Sequence, residues 1–190
     1  MITNQILKGK KIILRQIELS DCTEDYVKWM NDEMVNQYLE TRWSDQTMET
    51  IELFVIEQRK NDHSVLFVMI DKDTQRHIGN IKIGPINKHY RYADISYFIG
   101  DRSYWNRGIA TEAIFLICKF GFESLSLHRI EAGVYAEAEG SWKALENNGF
   151  IREGVYRKKV CFDDRYIDIY RYGMLRDEFY EQEKIAMEKY

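Results

Sequence analysis

The sequence of 190 residues predicts an α+β fold in which one mixed β-sheet of about seven strands carries helices on both faces. Three observations support this prediction. Strand-like and helix-like segments follow one another without a repeat, a low-complexity tract or a linker. Three successive β segments form a meander, and a helix, a strand, a helix and a hairpin follow it. We therefore expect a single domain, residues 1–190, with its core at about 11–175 and a charged helical tail at 176–190.

The segments before the meander contain one predicted strand and two predicted helices. Weak alternation of apolar residues predicts a strand over residues 11–15, and apolar residues at helical spacing predict helices over 21–30 and 45–59. The expected N-caps of the two helices are Ser20 and Ser44, because serine hydroxyls accept hydrogen bonds from the first turn of a helix.

The meander and the segments after it complete the predicted sheet. Runs rich in β-branched residues predict strands over 65–70, 77–84 and 92–99, with a polar turn at 71–76. The only proline, Pro85, is expected with Asn87 to close the second of these strands into a loop. The remaining predicted elements are a helix over 109–120, a strand over 129–135, a short helix over 141–147, a hairpin of 155–162 with 166–174, and a solvated tail helix over 176–190.

Composition and charge exclude several classes of function. The 27 basic and 31 acidic residues give a net charge of -4, which argues against a general electrostatic affinity for nucleic acid. The N-terminal segment lacks a secretory pattern and no apolar run reaches membrane-spanning length, so we expect a cytoplasmic protein without a membrane partner. The three cysteines, Cys22, Cys118 and Cys161, and the four histidines show no ligand spacing, so neither a disulfide framework nor a metal site is predicted.

The segment SYWNRGIATEA, residues 103–113, is the most informative part of the chain because it combines a tight glycine-containing turn with the start of a helix. The first turn of a helix leaves backbone N–H groups without partners and carries a partial positive charge, so it binds anions readily. Gly108 allows the close approach of a phosphate group, and Arg107 adds a positive charge. The segment lacks the lysine and hydroxyl residue of a P-loop and the glycine triplet of a dinucleotide fold, so it predicts a different phosphate-bearing cofactor.

Three short motifs follow the phosphate turn along the chain. They are GSWK at 140–143, ENNGF at 146–150 and EGV at 153–155. Together with the turn and the order of elements, these segments resemble the GNAT superfamily of acetyl-CoA-dependent N-acetyltransferases, over about residues 11–175, and most closely its Rim-type branch. The cofactor signature of the family falls on residues 105–110, with Trp105 at the position of its glutamine or arginine. Locally, WMNDEMVNQYLETR and GNIKIGPIN resemble acetyltransferases that modify amino sugars carried on nucleotides.

The resemblance implies that acetyl-CoA is the acetyl donor and that no metal takes part. It implies that the phosphates lie against the turn and that the pantetheine arm lies between two splayed strands, where a backbone N–H at the end of the fourth strand polarises the thioester carbonyl. Lys143 is expected to contact the 3'-phosphate of coenzyme A. The implied cofactor-binding residues are Phe98, Ile99, Gly100, Asn106, Arg107, Gly108, Ile109, Ala110, Thr111 and Lys143.

Two polar groups that the family often uses are absent. Leu145 stands at the position of a tyrosine that protonates the departing thiolate, and Ala138 replaces an asparagine. Ser141 is the remaining candidate for the proton donor or for the anchor of an ordered water, with helix capping as the alternative. Asp94 and Glu131 are the candidate bases. The alternatives are that both are ordinary polar positions on a half-solvated sheet and that a water chain serves as the base.

One further position bears on the choice of base. The glutamate of one Rim-type enzyme corresponds to Gly133, and Glu131 points to the same face of its strand because side chains two residues apart share a face. Glu131 is therefore a candidate base, although it lies two residues before the position of the glutamate in that relative.

The acceptor is the least determined part of the prediction. The candidate acceptor-binding residues are Glu40, Thr41, Arg42, Asn80 and Lys82. Arg42 and Lys82 are either solvated charges or the two cations that a nucleotide diphosphate requires. A protein N-terminus of the ribosomal type and a nucleotide-linked amino sugar are the two acceptors that we weigh, with small amines such as polyamines or antibiotics behind them. A catalytically silent module that binds coenzyme A or a protein is the alternative function, and monomer and homodimer both stay open.

Overall fold

A computed structural model describes residues 5–188, with side chains as far as residue 184, and its centre is a single eight-stranded mixed sheet. The strands are β1 (Ile6–Lys8), β2 (Ile12–Gln16), β3 (Val65–Asp71), β4 (His77–Asn87), β5 (Tyr92–Ile99), β6 (Arg129–Tyr135), β7 (Ile151–Phe162) and β8 (Arg165–Leu175). Their order in the sheet is β1-β2-β3-β4-β5-β6-β8-β7. Every neighbouring pair is antiparallel except β5 and β6, which are parallel.

Six α-helices cover the two faces of this sheet. They are α1 (Glu24–Asn31), α2 (Glu33–Asn36), α3 (Met48–Lys60), α4 (Ile109–Glu123), α5 (Glu139–Glu146) and α6 (Arg176–Glu188). On one face, Tyr26 of α1 and Val55 of α3 are buried against Val68 of β3. On the opposite face, Phe120 of α4 packs edge-on against Phe67, with ring centroids 5.3 Å apart. The predicted mixed sheet with helices on both faces is confirmed.

The two parallel strands stay paired for only a short distance. β5 and β6 pair from Tyr92 with Arg129 to Asp94 with Glu131, and no pair follows beyond that step. Because both strands run on in the same direction, their carboxyl ends diverge and leave a gap between them. Ligands bind preferentially at such a place, outside the carboxyl ends of strands where the connections of a sheet diverge.

Several predicted boundaries are wrong, and each has a local reason. The sequence analysis missed β1, which is only three residues long, so the sheet has eight strands rather than about seven. Thr23 caps α1 through Tyr26 N–H at 3.3 Å, and Thr47 caps α3 through Thr50 N–H at 3.2 Å. The predicted caps Ser20 and Ser44 were therefore three residues too early, because a threonine nearer to each helix competes for the same role.

Pro85 and the tail also differ from expectation. β4 does not end at Pro85 but continues to Asn87, with a register shift between Ile83 and Ile86 that places the proline at an irregular step of the ladder. The tail forms α6 as predicted, but it is not purely solvated, because Phe179 is 4 % exposed and packs against phenylalanines of α4. Residues 189–190 of the predicted tail lie outside the described residues. None of the helices within residues 5–188 is long and apolar enough to cross a membrane.

One buried ion pair fixes the connection between β2 and α1. Both oxygens of Asp21 accept hydrogen bonds from Arg15, at 2.5 and 2.7 Å, and Glu18 N–H donates to the same carboxylate at 2.8 Å. Burial alone would raise the pKa of Asp21, but the hydrogen bonds from Arg15 and Glu18 outweigh it and lower this pKa below its ordinary 3.8. The carboxylate therefore stabilises the fold at neutral pH, and the stabilisation is lost as the pH falls through the lowered pKa.

Asp21→Asn is expected to lower the free energy of unfolding at pH 7 by about 1.5 kcal/mol, because a charged hydrogen bond is lost from a buried site. The difference between the two proteins should shrink as the pH falls below about 4, where the carboxyl of the unfolded wild type gains a proton, and should vanish below the lowered pKa of the folded protein. Urea unfolding at a series of pH values measures this difference. Asp25→Asn, which removes an exposed carboxylate paired with Lys28, is the control, and an equal loss in both variants would contradict the argument.

Candidate active site

A cavity of about 640 Å³ opens between the diverging ends of β5 and β6. Four parts of the chain form its wall: β5 from Ile95 to Ile99, the turn and first helical residues from 104 to 111, the segment from Ala132 through α5 to Asn147, and residues 34–39 around α2. The parallel strands thus supply the floor, and the N-termini of two helices supply the sides. This arrangement can hold an elongated ligand with a phosphate at one end.

The phosphate turn has the backbone conformation that the sequence predicts. Gly108 is the N-cap of α4, with φ at +76° and ψ at 13° in the left-handed region, and no side chain caps the helix. Within the described part of the chain, no acceptor pairs with the N–H groups of Ile109, Ala110 and Thr111. A side chain added at Gly108 would meet only the Lys11 Nζ atom, at 3.5 Å. The free donors, the open space and the helix dipole fit a pyrophosphate group, so the residues present suit coenzyme A.

Contacts with distant parts of the chain hold this turn in place. Lys11, at the start of β2, donates from Nζ to the Arg107 carbonyl at 2.6 Å and from its backbone N–H to Glu112 Oε1 at 2.9 Å. Trp105 stands where the family signature has glutamine or arginine. Its Nε1 donates to the Ile99 carbonyl at 2.9 Å, and this hydrogen bond connects the turn to the end of β5. Sequence reasoning missed Lys11, because nothing local marks a residue 96 positions away from its partner.

The structure brings only some of the predicted cofactor-binding residues to the cavity. Phe98 and Ile99 line it, as do Asn106, Gly108, Ile109, Ala110, Thr111 and Lys143. Gly100 does not, because it packs directly beneath the Trp29 indole and donates its N–H to the Ile78 carbonyl at 2.9 Å. Arg107 is not part of the wall either, and its guanidinium lies 5.3 Å from the Tyr104 ring. Lys143 forms an exposed ion pair with Glu139 at 2.6 Å.

Ser141 lies in the cavity wall beside a tyrosine that the sequence analysis did not select. Its Oγ is 2.9 Å from the hydroxyl of Tyr97, which also donates to the Ser141 carbonyl at 3.0 Å. Ala138, not Ser141, is the N-cap of α5, so the helix-capping interpretation of Ser141 is wrong. Leu145 is 1 % exposed, which leaves Ser141 and Tyr97 as neighbouring hydroxyl groups in this wall.

The two candidate bases form an ion-pair network at the last paired step of β5 and β6. Asp94 Oδ1 and Glu131 Oε2 each lie 3.1 Å from one nitrogen, Nη2, of Arg171 on β8. Glu131 also pairs with Arg129 at 2.6 Å. Neither carboxylate is part of the cavity wall. The Arg171 side chain lies over Gly133, and a Cβ added at Gly133 would be 2.6 Å from Arg171 Nη1. Gly133 corresponds to the glutamate of the Rim-type relative, so in this protein a guanidinium occupies the place of that carboxylate.

Two tyrosine rings, those of Tyr38 and Tyr135, line one part of the cavity, here called the aromatic wall. Tyr38 stacks on Phe162 with ring centroids 5.5 Å apart and lies 5.4 Å from the Tyr135 ring. The Tyr135 hydroxyl donates to Glu40 at 2.6 Å. Burial and this hydrogen bond to Glu40 raise the pKa of Tyr135 to about 12, so its hydroxyl stays protonated. The predicted residue Glu40 is thus connected to the cavity through a tyrosine that sequence reasoning missed.

The predicted cation Arg42 is engaged within the protein. Its guanidinium donates to the Gln37 carbonyl and to the Cys161 carbonyl, and it lies 4.4 Å from the Trp43 ring and 5.1 Å from the Phe162 ring. Stacking on rings and two carbonyl acceptors leave little of this guanidinium for a diphosphate. Arg42 therefore shapes the aromatic wall.

The other three predicted acceptor residues are not part of the cavity wall. Thr41 is exposed, and its carbonyl accepts a hydrogen bond from Gln46. Asn80 is 2 % exposed beneath α1, with its Oδ1 2.7 Å from His77 Nε2. Lys82 is half-buried on β4, opposite Ser96. The face of β4 that carries Asn80 packs against α1 instead of lining the cavity.

A family model described as an acetyltransferase (GNAT) domain matches residues 11–151, and it is the model of the Rim-like branch. The chain belongs to the GNAT family of acetyltransferases. As a GNAT enzyme it is an N-acetyltransferase that uses acetyl-CoA. Among the described residues, no group of three or more His, Cys, Asp or Glu side chains is placed to hold a metal ion.

Similar proteins cover nearly the whole chain. The uncharacterised N-acetyltransferase p20 of Bacillus licheniformis is 31% identical over 182 residues, which is 92% of this chain and 98% of p20. The probable N-acetyltransferase YjcK of Bacillus subtilis (strain 168) is 34% identical over 161 residues, or 82% and 88% of the two chains. A GNAT-family acetyltransferase structure from Bacillus anthracis superposes with a TM-score of 0.79 at 25% identity and covers 92% of this chain and all of that one. The spermidine N-acetyltransferase of Vibrio cholerae, in complex with CoA and spermine, has a TM-score of 0.82 at 22% identity, covers 90% of this chain and 99% of its own, and shares the fold.

Proposed function

We propose that this GNAT enzyme moves an acetyl group from acetyl-CoA to a primary amine by direct attack, with both substrates bound at once between β5 and β6. The observation that carries the proposal is the set of free N–H groups of Ile109–Thr111 beside a cavity that runs on toward the aromatic wall. The pyrophosphate binds at the α4 N-terminus, and the thioester lies along Phe98 and Ile99. Isothermal titration with acetyl-CoA tests this arrangement, and no binding at millimolar concentration would overturn it.

Ser141 is the group that we assign to the departing thiolate, because Leu145 offers no hydroxyl and Ser141 lies in the wall. As the bond from nitrogen to the acetyl carbon forms and the bond from carbon to sulfur breaks, Ser141 donates its hydroxyl proton to sulfur and accepts the surplus proton of the nitrogen. The serine is unchanged at the end, and the products are the amide and the free thiol. Positioning of the two substrates supplies most of the acceleration.

The two carboxylates of the cavity wall, Glu137 and Glu139, form ion pairs with Arg165 and Lys143. Asp94 and Glu131, which lie outside the wall, are bound by Arg171, so we assign the role of base to none of these four groups. We propose that the acceptor amine binds already neutral. An α-amine with a pKa near 8 is neutral in about a tenth of molecules at pH 7, whereas a lysine-like amine is neutral in about one in two thousand.

This proposal predicts a pH profile. The kcat/KM for an α-amine acceptor should rise about tenfold per pH unit below the pKa of that amine and then level off near pH 8. Asp94→Asn and Glu131→Gln should keep the shape of this profile, since neither carboxylate takes the proton. Steady-state kinetics from pH 5.5 to 9 measures it, and a second ionisation within this range that disappears in either variant would show that the carboxylate is the base after all.

The acceptor that we favour is a protein N-terminus. A nucleotide diphosphate needs free cations, and the structure gives little support for them: Arg42 is stacked and hydrogen bonded, and Lys82 lies outside the wall. The aromatic wall of Tyr38 and Tyr135, with Phe162 stacked on Tyr38, instead suits the backbone and side chains of an extended peptide. Small amines such as polyamines remain the alternative acceptors.

A thiol-release assay compares a peptide mixture with free N-termini, its N-terminally blocked counterpart, polyamines and a nucleotide-linked amino sugar. We expect release with the free peptides and none with the blocked ones. Faster turnover of the sugar nucleotide would overturn the choice of acceptor. Release no faster than hydrolysis with every amine, together with normal acetyl-CoA binding, would favour the silent module suggested by the absent tyrosine and asparagine.

A further inference from the structure

Tyr97 is a half-buried residue of the cavity wall whose hydroxyl has no role in the mechanism above. It lies on β5 between two other wall residues, Ser96 and Phe98, and its ring packs against the core below α5. Burial raises the pKa of the Tyr97 hydroxyl despite the hydrogen bond with Ser141, so the phenol stays protonated at neutral pH. A tyrosine in this position needs a hydrogen-bond partner, and both of its partners are atoms of Ser141.

The geometry of these two contacts determines what the Tyr97 hydroxyl does to Ser141. The phenol has one proton, and Ser141 offers two acceptors for it, its carbonyl oxygen at 3.0 Å and its Oγ at 2.9 Å. When the phenol donates to Oγ, the serine hydroxyl has one fixed neighbour and keeps its own proton for a second one in the cavity. Without Tyr97, the Oγ could rotate among three staggered positions, of which only some face the cavity.

We propose that Tyr97 is a positioning residue, which holds the Ser141 hydroxyl toward the sulfur of bound coenzyme A and so compensates for the tyrosine absent at Leu145. The inference rests on the proposed role of Ser141. Tyr97 itself exchanges no proton with the substrates. The proton that reaches sulfur comes from the attacking nitrogen through Ser141, and the Tyr97 phenol is unchanged throughout.

Tyr97→Phe removes this hydroxyl and keeps the ring, and it is expected to lower kcat about tenfold with little change in the KM for acetyl-CoA. Ser141→Ala should lower kcat about 100-fold, which is the size of effect expected when a proton-transfer group is removed. The double variant should match Ser141→Ala alone, because Tyr97 acts only through Ser141. Additive losses in the double variant would contradict the inference.

Tyr172→Phe is the matched control. Tyr172 is buried and its hydroxyl also bonds a residue of α5, Glu146 at 2.8 Å, but it lies outside the cavity wall. Both variants lose one partly buried hydrogen bond from a phenol hydroxyl to the same helix, so urea unfolding should show similar losses of stability. Only Tyr97→Phe should lower kcat. Equal kcat in the two phenylalanine variants would overturn the role of Tyr97.

A second readout needs no acceptor and therefore separates this inference from the proposed function. The ultraviolet absorbance of the thiolate follows the ionisation of coenzyme A bound to the enzyme, with the complex of desulfo-coenzyme A as the blank. A hydroxyl held toward sulfur stabilises the thiolate, so the bound thiol should ionise at a higher pH in Tyr97→Phe and Ser141→Ala than in the wild type and Tyr172→Phe. If the wild type acetylates no amine, the proposed function fails while this titration still decides the role of Tyr97. An unchanged titration in Tyr97→Phe would overturn it.

Discussion

Gly108→Val is expected to weaken acetyl-CoA binding by about 100-fold, which corresponds to about 3 kcal/mol. Two effects combine. The backbone at Gly108 has φ at +76°, and a β-branched residue there is strained by about 1–3 kcal/mol. To relieve that strain the turn must change shape, and the N–H groups of Ile109–Thr111 then no longer converge on one phosphate position.

The expected loss does not come from a clash within the protein. A Cβ at Gly108 would have only the Lys11 Nζ atom within 4 Å, so the turn has space for a side chain when no ligand is bound. That same space is where we place the pyrophosphate. A valine there both distorts the donors and fills the position of the ligand, so a small residue is required for recognition and not for packing.

Gly154→Val is the control for the glycine substitution. Gly154 lies on β7 outside the cavity, nothing lies within 4 Å of an added Cβ, and its φ is not in the left-handed region. Isothermal titration should therefore find wild-type affinity in this variant and a much weaker affinity in Gly108→Val. Normal binding of acetyl-CoA by Gly108→Val would contradict the assignment of the turn.

The sequence predicted correctly those strands and helices whose pattern is carried by adjacent residues. β5 and β6 have the bounds that the sequence predicts, and the helix after Gly108 begins where expected, because alternation and a glycine-containing turn are written in adjacent residues. β1 was missed, since three residues carry too little pattern. The packing of α1 on the face of β4 that carries Asn80 was not predicted, which is why Asn80 was expected in the acceptor pocket.

The site was predictable where the backbone forms it and less so where distant side chains meet. The phosphate turn depends on consecutive residues and was found from the sequence. The contacts of Lys11 with Arg107, of Tyr97 with Ser141 and of Arg171 with Asp94 join residues far apart in the chain. No periodicity in a single sequence reports such pairs. The resemblance to a family also could not supply them, because it transfers only positions that match the motifs of the family.

Arg171→Met is expected to lower the free energy of unfolding by about 3 kcal/mol. One guanidinium nitrogen lies 3.1 Å from an oxygen of Asp94 and 3.1 Å from an oxygen of Glu131, so the two carboxylates are within about 6 Å of each other. Two like charges at that distance repel by about 3 kcal/mol at the effective dielectric constant of a partly buried site. The guanidinium cancels this repulsion at the last step where β5 and β6 are still paired.

A second substitution distinguishes repulsion from simple loss of packing. Glu131 keeps Arg129 as a partner in Arg171→Met, whereas Asp94 loses the only ion pair it has among the described residues. Arg171→Met with Asp94→Asn should therefore recover most of the lost stability in urea unfolding. Arg165→Met, which breaks an exposed ion pair with Glu137, is the control and should change stability much less. If the double variant is no more stable than Arg171→Met, the guanidinium acts through its packing over Gly133, and the electrostatic account of the splayed strands is wrong.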